Sequence, residues 1–571
     1  MNATFDLVVR GGTIIDGSGG DPFEADVAII DGRIAQIGSI PGSGSTELDA
    51  KGLVVTPGFV DIHTHYDAQM TWDSRMQPSS LHGITTAIAG NCGVGFAPCR
   101  ESERDTLVRL MEGVEDIPEI VMTKGLPWTW TTFPEFLDYL GSRRYDIDVG
   151  VQMPHSAVRV FVMGERGANR EIAEPEDVAM MRALVAEGVR AGAFGVSTSR
   201  FEGHRTRAGS IAPSVDADQA ELLGLAAGLR DAGGGVFQLI PKLPSNPDAE
   251  FELMTRLVRE SGQSLSFTML INSFEGDTWK RFLELLEGQA ADGGPRIRGQ
   301  AFPRPVGVLF GLDLSFHPFA LNPSYREIAH VPLAERVEMM KSPDLRARIL
   351  SEQPQDPNPF ALRLVSERAD LYRFGDPPNY TPPIEEELSR IAKTRGVDER
   401  AFLYDELLRD GGKAILYRPT ANYINNSLDD VRTIMCSDST IIGLGDGGAH
   451  YGMICDTSYT TYMLSHWARD ALPGARVSLP WAVREISGKP ASAIGLFDRG
   501  TVALGKKADL NVIDFDRIGL RSPSVGYDLP GGGRRLRQAA MGYEATIVNG
   551  EVTYRNGEPT SALPGRLLRR H

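Results

Sequence analysis

The sequence predicts an α/β protein built on a (β/α)8 barrel of the TIM type, with a small β-sandwich made from both chain ends. Three observations predict this fold. The middle of the chain alternates short apolar runs with helical stretches, both ends carry β-hairpin patterns, and polar residues of catalytic type follow several of the apolar runs. An inserted subdomain is expected between strands seven and eight, because that connection is far longer than a simple loop.

The two chain ends share one pattern of short apolar runs separated by glycine turns. Asp31-Gly32 joins two such runs near the N-terminus, and Asn549-Gly550 joins two near the C-terminus. These dipeptides are typical of tight β-hairpin turns. We therefore expect residues 1–57 and 496–571 to form one β-sandwich domain.

Eight apolar runs in the middle of the chain alternate with helical stretches, as in a barrel of parallel strands. A clear helix is Pro175–Ala191, which has acidic residues in its first turn, and Asp216–Ala232 is another. This pattern predicts a barrel domain over residues 58–495. The predicted strands are Phe59–His63, Thr85–Ala89, Ile147–Met153, Phe194–Ser197, Val236–Ile240, Ser264–Leu270, Ile297–Ala301 and Ile441–Leu444.

The long segment of about residues 304–430 separates strands seven and eight. It combines helical stretches with proline-rich breaks, for example Pro377-Pro378 and Pro382-Pro383. A connection of this length predicts an additional folded unit. We expect it to lie over the mouth of the barrel and to shape a substrate pocket.

Composition and charge favour a globular protein that acts on a small molecule. Of the 571 residues, 42% are hydrophobic and 23% charged, and the formal net charge is −16, which argues against a nucleic-acid or anionic-membrane partner. No apolar run approaches the ~18 residues that cross a bilayer. The N-terminus lacks the basic and apolar regions of a signal peptide, and the four cysteines form no C-x-x-C pair. We expect a cytoplasmic protein; a homo-oligomer is one alternative for its assembly.

A His-x-His pattern ends the first predicted strand. Side chains two apart on a strand point the same way, so His63 and His65 offer two imidazoles to one metal ion. Cys92 follows strand two in a glycine turn and is a candidate thiolate ligand. The alternatives are that the histidines are ordinary polar residues of a strand, and that Cys92 is a small buried residue or a nucleophile with His63 as its base.

Asp446 follows the eighth predicted strand in Gly445-Asp446-Gly447. Active residues of such barrels lie at the carboxyl ends of strands. A carboxylate beside a metal can accept a proton from water and return it to a leaving nitrogen, so Asp446 is the predicted general acid/base. The alternative is a turn residue that caps backbone groups.

Five further residues form a candidate substrate-binding set near the same strand ends. The basic side chains suit a substrate carboxylate, because arginine binds carboxylates with two parallel hydrogen bonds. The alternative is that these residues are solvated loop charges. The set consists of Arg200, His204, Arg205, Lys242 and His155.

The chain resembles the amidohydrolase superfamily and, within it, the D-aminoacylase branch of N-acyl-D-amino-acid deacylases. The resemblance implies hydrolysis of an amide by metal-activated water, usually with zinc. It implies that His63, His65 and Cys92 are metal ligands and that Asp446 is the general acid/base. It rests on Pro57–His65, on His82–Thr86 with Gly90–Gly93, on Gly195–Thr198, on Gly445–Gly447 and on Gly500–Leu510.

One departure from the family pattern affects the metal prediction. Deacylases of this branch carry metal-binding histidines at the ends of strands five and six, whereas Val236–Lys242 and Ser266–Asn272 contain none. At most His63, His65, Cys92 and Asp446 remain as ligands. Four such ligands suit a mononuclear tetrahedral site, so one Zn²⁺ ion is expected rather than two, with another divalent metal as an alternative. Lys242 or His204 are alternatives for filling the gap.

The predicted function is hydrolysis of an amide C–N bond, in N-acyl D-amino acids or similar carboxylated amides. Two alternatives stay open. One is a hydrolase of cyclic amides or imides, because fold alone does not fix the reaction. The other is a catalytically inactive barrel that serves as a binding or assembly protein, which the missing histidines motivate.

Overall fold

A nine-stranded sheet joins the two ends of the chain in the computed structural model, which describes residues 5–289 and 294–570. Asp31 and Gly32 both have positive φ, as a two-residue hairpin turn between β2 and β3 requires. The N-terminal strands are β1 (Phe5–Ile14), β2 (Phe23–Ile30), β3 (Arg33–Gly38), β4 (Gly44–Asp49) and β5 (Val54–Pro57).

Short parallel strands follow, and they match the predicted apolar runs closely. Gln152 interrupts the third predicted strand and divides it into β8 and β9. The strands are β6 (Phe59–Asp61), β7 (Ile84–Ala89), β8 (Asp148–Val151), β9 (Met153–Pro154), β10 (Gly195–Ser199), β11 (Val236–Ile240), β12 (Leu265–Thr268) and β13 (Ile297–Ala301).

The helices of this region follow the strands along the chain. Pro175–Arg190 begins with proline and two acidic residues, and Gln219–Ala232 is capped by Asp218, whose side chain accepts the N–H of Glu221. The main helices before β13 are Arg104–Glu115, Glu119–Gly125, Phe133–Gly141, His155–Met163, Pro175–Arg190, Gln219–Ala232, Pro247–Ser261 and Thr278–Glu287.

The segment after β13 forms a three-stranded antiparallel ribbon and several helices around a hydrophobic core of their own. Its strands are β14 (Val306–Phe310), β15 (Tyr372–Arg373) and β16 (Leu416–Ala421). Its helices are Pro323–Ile328, Leu333–Met340, Pro343–Ser351, Pro359–Ser366, Leu388–Arg395 and Glu399–Leu407. The chain then returns to the parallel strands through β17 (Thr440–Ile442).

The parallel strands lie in two hydrogen-bonded series, β6-β7-β8 and β9-β10-β11-β12-β13-β17. The N–H of Asp446 donates to the carbonyl of His63 at 3.1 Å, and the N–H of His65 donates to the carbonyl of Gly447 at 2.7 Å. These bonds place the carboxyl end of the first strand beside that of the last. The architecture is mixed α/β, and residues far apart in sequence meet at this edge.

The C-terminal strands complete the first sheet, whose order is β25-β24-β23-β18-β5-β1-β2-β3 with β4 beside β1. They are β18 (Leu510–Ile513), β19 (Gly519–Leu520), β20 (Ser524–Leu529), β21 (Gly533–Arg537), β22 (Ala540–Met541), β23 (Tyr543–Val548), β24 (Glu551–Arg555) and β25 (Glu558–Pro559). Helices Asp429–Met435, Leu479–Ile486 and Gly488–Ala493 precede them. Within residues 5–289 and 294–570, no helix is long and apolar enough to cross a membrane.

Candidate metal centre

Four side chains that follow three different strands converge at one point. His63 and His65 follow β6, Cys92 follows β7 and Asp446 follows β17. The Sγ atom of Cys92 lies 3.2 Å from Nε2 of His63 and 3.7 Å from Nε2 of His65. Oδ1 of Asp446 lies 3.5 Å from each of the same two nitrogens. The structure thus brings the four predicted ligands together.

The donor atoms of this cluster fit a divalent cation of the zinc type. Ligand atoms of His63, His65 and Cys92 lie within 4.8 Å of one another, and Asp446 joins them through the two imidazoles. Zinc bonds of ~2.0–2.3 Å in a tetrahedron separate ligand atoms by roughly 3.3–3.8 Å, close to the four distances above. Oδ1 of Asp446 is buried and has no hydrogen-bond partner in the described part of the chain, which suits an atom that faces a cation.

Burial sets the protonation of these groups. It lowers the pKa of His63 to about 4, against the opposing charge of Asp446, and lowers the pKa of His65 to about 3. Both imidazoles are therefore neutral near pH 7, the form that binds metals. Burial also raises the pKa of Cys92 well above its usual value, and nearby carboxylates add to the effect. A cation among these groups reverses such shifts and favours the thiolate.

A hydrogen-bonded chain from two other strands orients His63. Its Nδ1 lies 2.7 Å from Oε1 of Gln300 on β13, and Nε2 of Gln300 donates to Oγ of Ser266 on β12 at 2.8 Å. Because Oε1 is an acceptor, Nδ1 carries the proton and Nε2 is left free toward the cluster. Gln300 therefore fixes the tautomer that a metal ligand needs.

A buried carboxylate lies behind His65. Glu115, at the end of helix Arg104–Glu115, places Oε1 3.4 Å from Nδ1 of His65 and Oε2 3.5 Å from Nε2 of His450. Burial raises the pKa of Glu115 well above its usual value, and the charge of Asp446 adds to this. The arrangement resembles the carboxylate–histidine pairs that support metal ligands.

The fifth and sixth predicted strands, β11 and β12, contain no histidine and present uncharged polar side chains to the site. Oε1 of Gln238 on β11 accepts the N–H of Cys92 at 3.0 Å and so holds the turn in which Cys92 adopts a φ of +57°. Thr268 on β12 lines the cavity, and its Oγ1 is buried without a partner among the described residues. These strands support the cluster but add no imidazole to it.

The cluster forms the floor of a cavity of about 590 Å³. Much of the lining is apolar, as is usual for a site that binds an organic molecule. It includes Phe201, Met269, Phe274, Trp279, Phe360 and Leu364. Glu115, His204 and His450 also line it. The cavity lies between the barrel strands and the inserted segment, since β14, β16 and helix Pro359–Ser366 contribute part of its wall.

Of the predicted substrate-binding residues, His204 lines the cavity and the other four have partners elsewhere. Arg200 Nη2 lies 3.1 Å from Oε1 of Glu250, and Arg205 Nη1 donates to the carbonyl of Gly209 at 2.9 Å. Lys242 is half exposed, with Nζ 3.8 Å from Oε1 of the exposed Glu202.

His155 is buried beside β10, where Nε2 lies 2.7 Å from Oε1 of Glu221 and Nδ1 lies 2.8 Å from Oγ1 of Thr198. Of the predicted set, the structure brings only His204 to the lining of the described cavity. A role of Arg200, Arg205 and Lys242 in binding a carboxylate stays a prediction. His204 and Lys242 also lie outside the close donor cluster.

Several residues of the site escaped sequence reasoning. Gln238 and Gln300 could have been found from the sequence, since each is the single amide side chain of a predicted strand. No local pattern indicated Glu115 or His450. Glu115 ends a helix between two strands, and His450 follows a glycine turn. Only the packing of that helix against the strand ends brings Glu115 to His65.

The chain is similar to known proteins over nearly its whole length. A model described as the amidohydrolase family matches residues 46–554. A D-aminoacylase from Alcaligenes xylosoxydans xylosoxydans is 25% identical over 99% of this chain and 98% of its own, and an N-acyl-D-glutamate deacylase from the same organism is 26% identical over 100% and 98%. An N-acyl-D-glutamate deacylase structure from Bordetella bronchiseptica, complexed with zinc and a phosphonate inhibitor, has a TM-score of 0.64 at 21% identity, covering 99% of this chain and 100% of that one.

The chain belongs to the amidohydrolase family, in the branch that includes D-aminoacylase. It is accordingly a hydrolase of carbon–nitrogen bonds other than peptide bonds, and its relatives support metal-dependent hydrolysis of amides with a divalent metal. The structural similarity supports a fold of the TIM-barrel type.

Proposed function

From this family membership, we propose that the protein hydrolyses the amide bond of N-acyl D-amino acids or similar carboxylated amides, with one zinc ion at His63, His65, Cys92 and Asp446. The observation that carries the proposal is the convergence of two imidazole nitrogens, one thiol and one carboxylate at the floor of a largely apolar cavity. A single ion is proposed because β11 and β12, the fifth and sixth predicted strands, contain no histidine that could bind a second ion.

We also propose the underlying division of the chain. Residues 1–57 and 496–571 form a β-sandwich domain, and residues 58–495 form a (β/α)8 barrel with an insertion at about 304–430. The pairing of β5 with β18 and the separate hydrophobic core of the insertion support this division.

His63, His65, Cys92 and Asp446 would hold a divalent ion, which would lower the pKa of water and polarise the carbonyl oxygen of an amide when bound. The chain's own contribution to the proton transfer is Asp446. Its Oδ1 faces the imidazoles of His63 and His65, so we assign the proton transfer to Oδ2. This oxygen accepts the proton of the attacking water and returns it to the leaving nitrogen.

Protein groups around the cavity hold this arrangement in place. Gln300 keeps Nε2 of His63 unprotonated, and the apolar wall limits the access of competing water. Partial burial raises the pKa of Asp446, while His63 and His450 oppose the rise. A carboxyl group poised in this way can alternate between accepting and donating a proton.

Metal analysis combined with an amide panel tests the proposal. Purified wild-type protein is expected to bind about one equivalent of zinc and to hydrolyse N-acetyl-D-leucine, whereas His63→Ala and His65→Ala should lose most of the zinc and at least about 1,000-fold in kcat/KM. His330→Ala, at an exposed site, is the matched control and should behave as wild type.

Equal zinc content and equal hydrolysis in all four proteins would contradict the proposal. The panel includes N-acetyl-L-leucine and hydantoin. Turnover of hydantoin with none of the linear amides would instead select the cyclic-amide alternative, and no turnover of any compound by the zinc-loaded wild type would select the binding-protein alternative.

A further inference from the structure

We propose that Arg418, on the inserted ribbon, binds the carboxylate of the substrate, so that this segment selects amides with an apolar body and one carboxylate. The inference rests on the proposed function for the reaction itself. It concerns a different part of the cavity from the metal cluster, and a different cation from the ones that the sequence suggested.

Arg418 is placed by the register of the inserted ribbon. It lies on β16 directly opposite Val308 of β14, and both residues line the cavity that holds the cluster. Tyr417 points to the other face of the ribbon, where its ring packs against Phe374. The alternation of side chains along a strand thus separates the apolar packing of Tyr417 from the cation of Arg418.

The guanidinium of Arg418 is buried without a carboxylate partner. The residue is only 5% exposed, and no carboxylate oxygen of the described residues lies within 4.0 Å of its nitrogens. Its hydrogen bond goes from Nη1 to the carbonyl of Glu367 at 2.6 Å, and its face lies 5.1 Å from the ring centroid of Phe310. A buried cation is costly unless an anion compensates it, so this site is suited to an anionic ligand.

Two acidic residues near Arg418 do not fill this role. Glu367 is exposed, and its Oε1 accepts a hydrogen bond from Nε of Arg363 at 2.6 Å. Asp370 is also exposed, so solvent and salt screen its charge. Burial lowers the pKa of Arg418, and both carboxylates oppose this, but an arginine stays charged in either case.

The rest of the wall indicates what accompanies the carboxylate. Among the described residues lining the cavity, the arginines are Arg418 and the already paired Arg363, and the wall contributes no lysine. Phe274, Trp279 and Leu364 provide apolar surface in the same cavity. A ligand with one carboxylate and an apolar body matches this combination, since arginine binds a carboxylate with two parallel hydrogen bonds.

The test compares charged and neutral versions of one molecule. In the zinc-loaded full chain, Arg418→Met should lower kcat/KM for N-hexanoyl-D-leucine by about 10- to 100-fold, the loss expected for a charge-assisted hydrogen bond. It should change kcat/KM for N-hexanoyl-D-leucinamide, which lacks the carboxylate, by less than about threefold. Arg418→Lys should recover part of the loss. Arg348→Met, which removes an exposed charge that is paired with Glu327 and does not line the cavity, should resemble wild type.

Binding gives a second readout that needs no turnover. Titration calorimetry with 4-phenylbutyrate and the neutral 4-phenylbutyramide should show that Arg418→Met weakens binding of the carboxylate alone, and Arg418→Lys provides the comparison if the methionine variant does not fold. Equal losses for carboxylate and carboxamide, or unchanged 4-phenylbutyrate binding, would overturn the inference. If wild type hydrolyses neither amide while 4-phenylbutyrate binding still depends on Arg418, the proposed reaction fails and the carboxylate site stands.

Discussion

Two clusters at opposite ends of the parallel strands contain carboxylates that differ in the charges beside them. At the start of β8, Oδ2 of Asp148 lies 2.8 Å from Nη1 of Arg499 and also pairs with Lys507, while Asn549 and the backbone of Arg566 donate to Oδ1. Burial raises the pKa of Asp148, but these two cations lower it by more, so the pKa lies below its usual value.

At the carboxyl ends of the strands the carboxylates lack such cations. Burial raises the pKa of both Asp446 and Glu115, and buried atoms of Asp446, Glu115 and His65 have no hydrogen-bond partner among the described residues. Both clusters are largely buried, although the side chain of Asp446 is 23% exposed toward the cavity, so the main difference lies in the counter-charge. The Asp148 cluster carries its own cations and stabilises the fold, whereas the Asp446 cluster is suited to receive one.

The largest expected effect is the loss of activity when the carboxylate of Asp446 is removed. Asp446→Asn should lower kcat/KM for amide hydrolysis by about 1,000-fold or more, because an amide cannot accept the proton. The free energy of unfolding of the metal-free protein should not fall, since the substitution removes a buried, unpaired charge. Activity assays and urea unfolding measure the two quantities, with the 98%-exposed side chain of Asp438 as the Asp→Asn control.

The next largest effect is the loss of stability when the carboxylate of Asp148 is removed. Asp148→Asn should lower the free energy of unfolding by about 3–5 kcal/mol, because buried Arg499 and Lys507 lose the anion that they share. Arg499 then retains only Asp498, at 3.0 Å, and the more distant Asp509, at 3.8 Å. Asp138→Asn, which removes an exposed partner of Arg569, should cost at most about 1 kcal/mol. Folded Asp148→Asn protein should retain its activity per molecule. Equal destabilisation by Asp148→Asn and Asp446→Asn would show that the two clusters do not differ in the way described.

A smaller effect is expected on zinc affinity when Gln300 is replaced. Gln300→Leu should weaken zinc binding by about 10- to 100-fold, because Nδ1 of His63 loses the acceptor that fixes its tautomer. Competition with a zinc chelator measures the affinity, and cobalt substitution reports the ligand geometry in the visible spectrum. Ser266→Ala, which removes only the outer partner of Gln300, should have a weaker effect. Unchanged zinc affinity in Gln300→Leu would contradict the positioning role.

The smallest effect is a pH dependence at the Asp148 cluster. The pKa of Asp148 is lower in the folded chain than its usual value of 3.8, so its stabilisation is present above that value and is lost as the pH falls through the lower folded value. The free energy of unfolding should therefore decrease below about pH 4. Asp148→Asn should show a shallower decrease in urea unfolding between pH 5 and pH 3. An identical slope in both proteins would exclude this contribution.

The sequence located the strands well, and the four side chains that it placed after strand ends lie together in the structure. Apolar runs bounded by turns indicated strands such as β11 and β13, and the position of His63, His65, Cys92 and Asp446 after strands indicated a common edge. These predictions succeed because side-chain direction in a strand and the location of strand ends depend on local sequence.

The same reasoning could not identify the partners of each charged side chain. Arg200 follows a barrel strand, as a substrate-binding residue would, yet it pairs with Glu250 of a neighbouring helix. Arg418 lies in a segment with no recognised motif, yet it lines the cavity. Nothing in the local sequence distinguishes these two arginines, because the pairing of a charge depends on the elements packed around it.

The sequence by itself determined that this chain alternates strands and helices and carries residues of the metal-binding type at strand ends, since both follow from patterns over a few residues. Only the tertiary structure decided that Gln300 orients the imidazole of His63, that Glu115 lies beside His65, that Asp148 has its own cations, and that Arg418 lines the cavity. The physical reason is that burial and counter-charge arise from contacts between residues tens to hundreds of positions apart, which only the packed chain brings together.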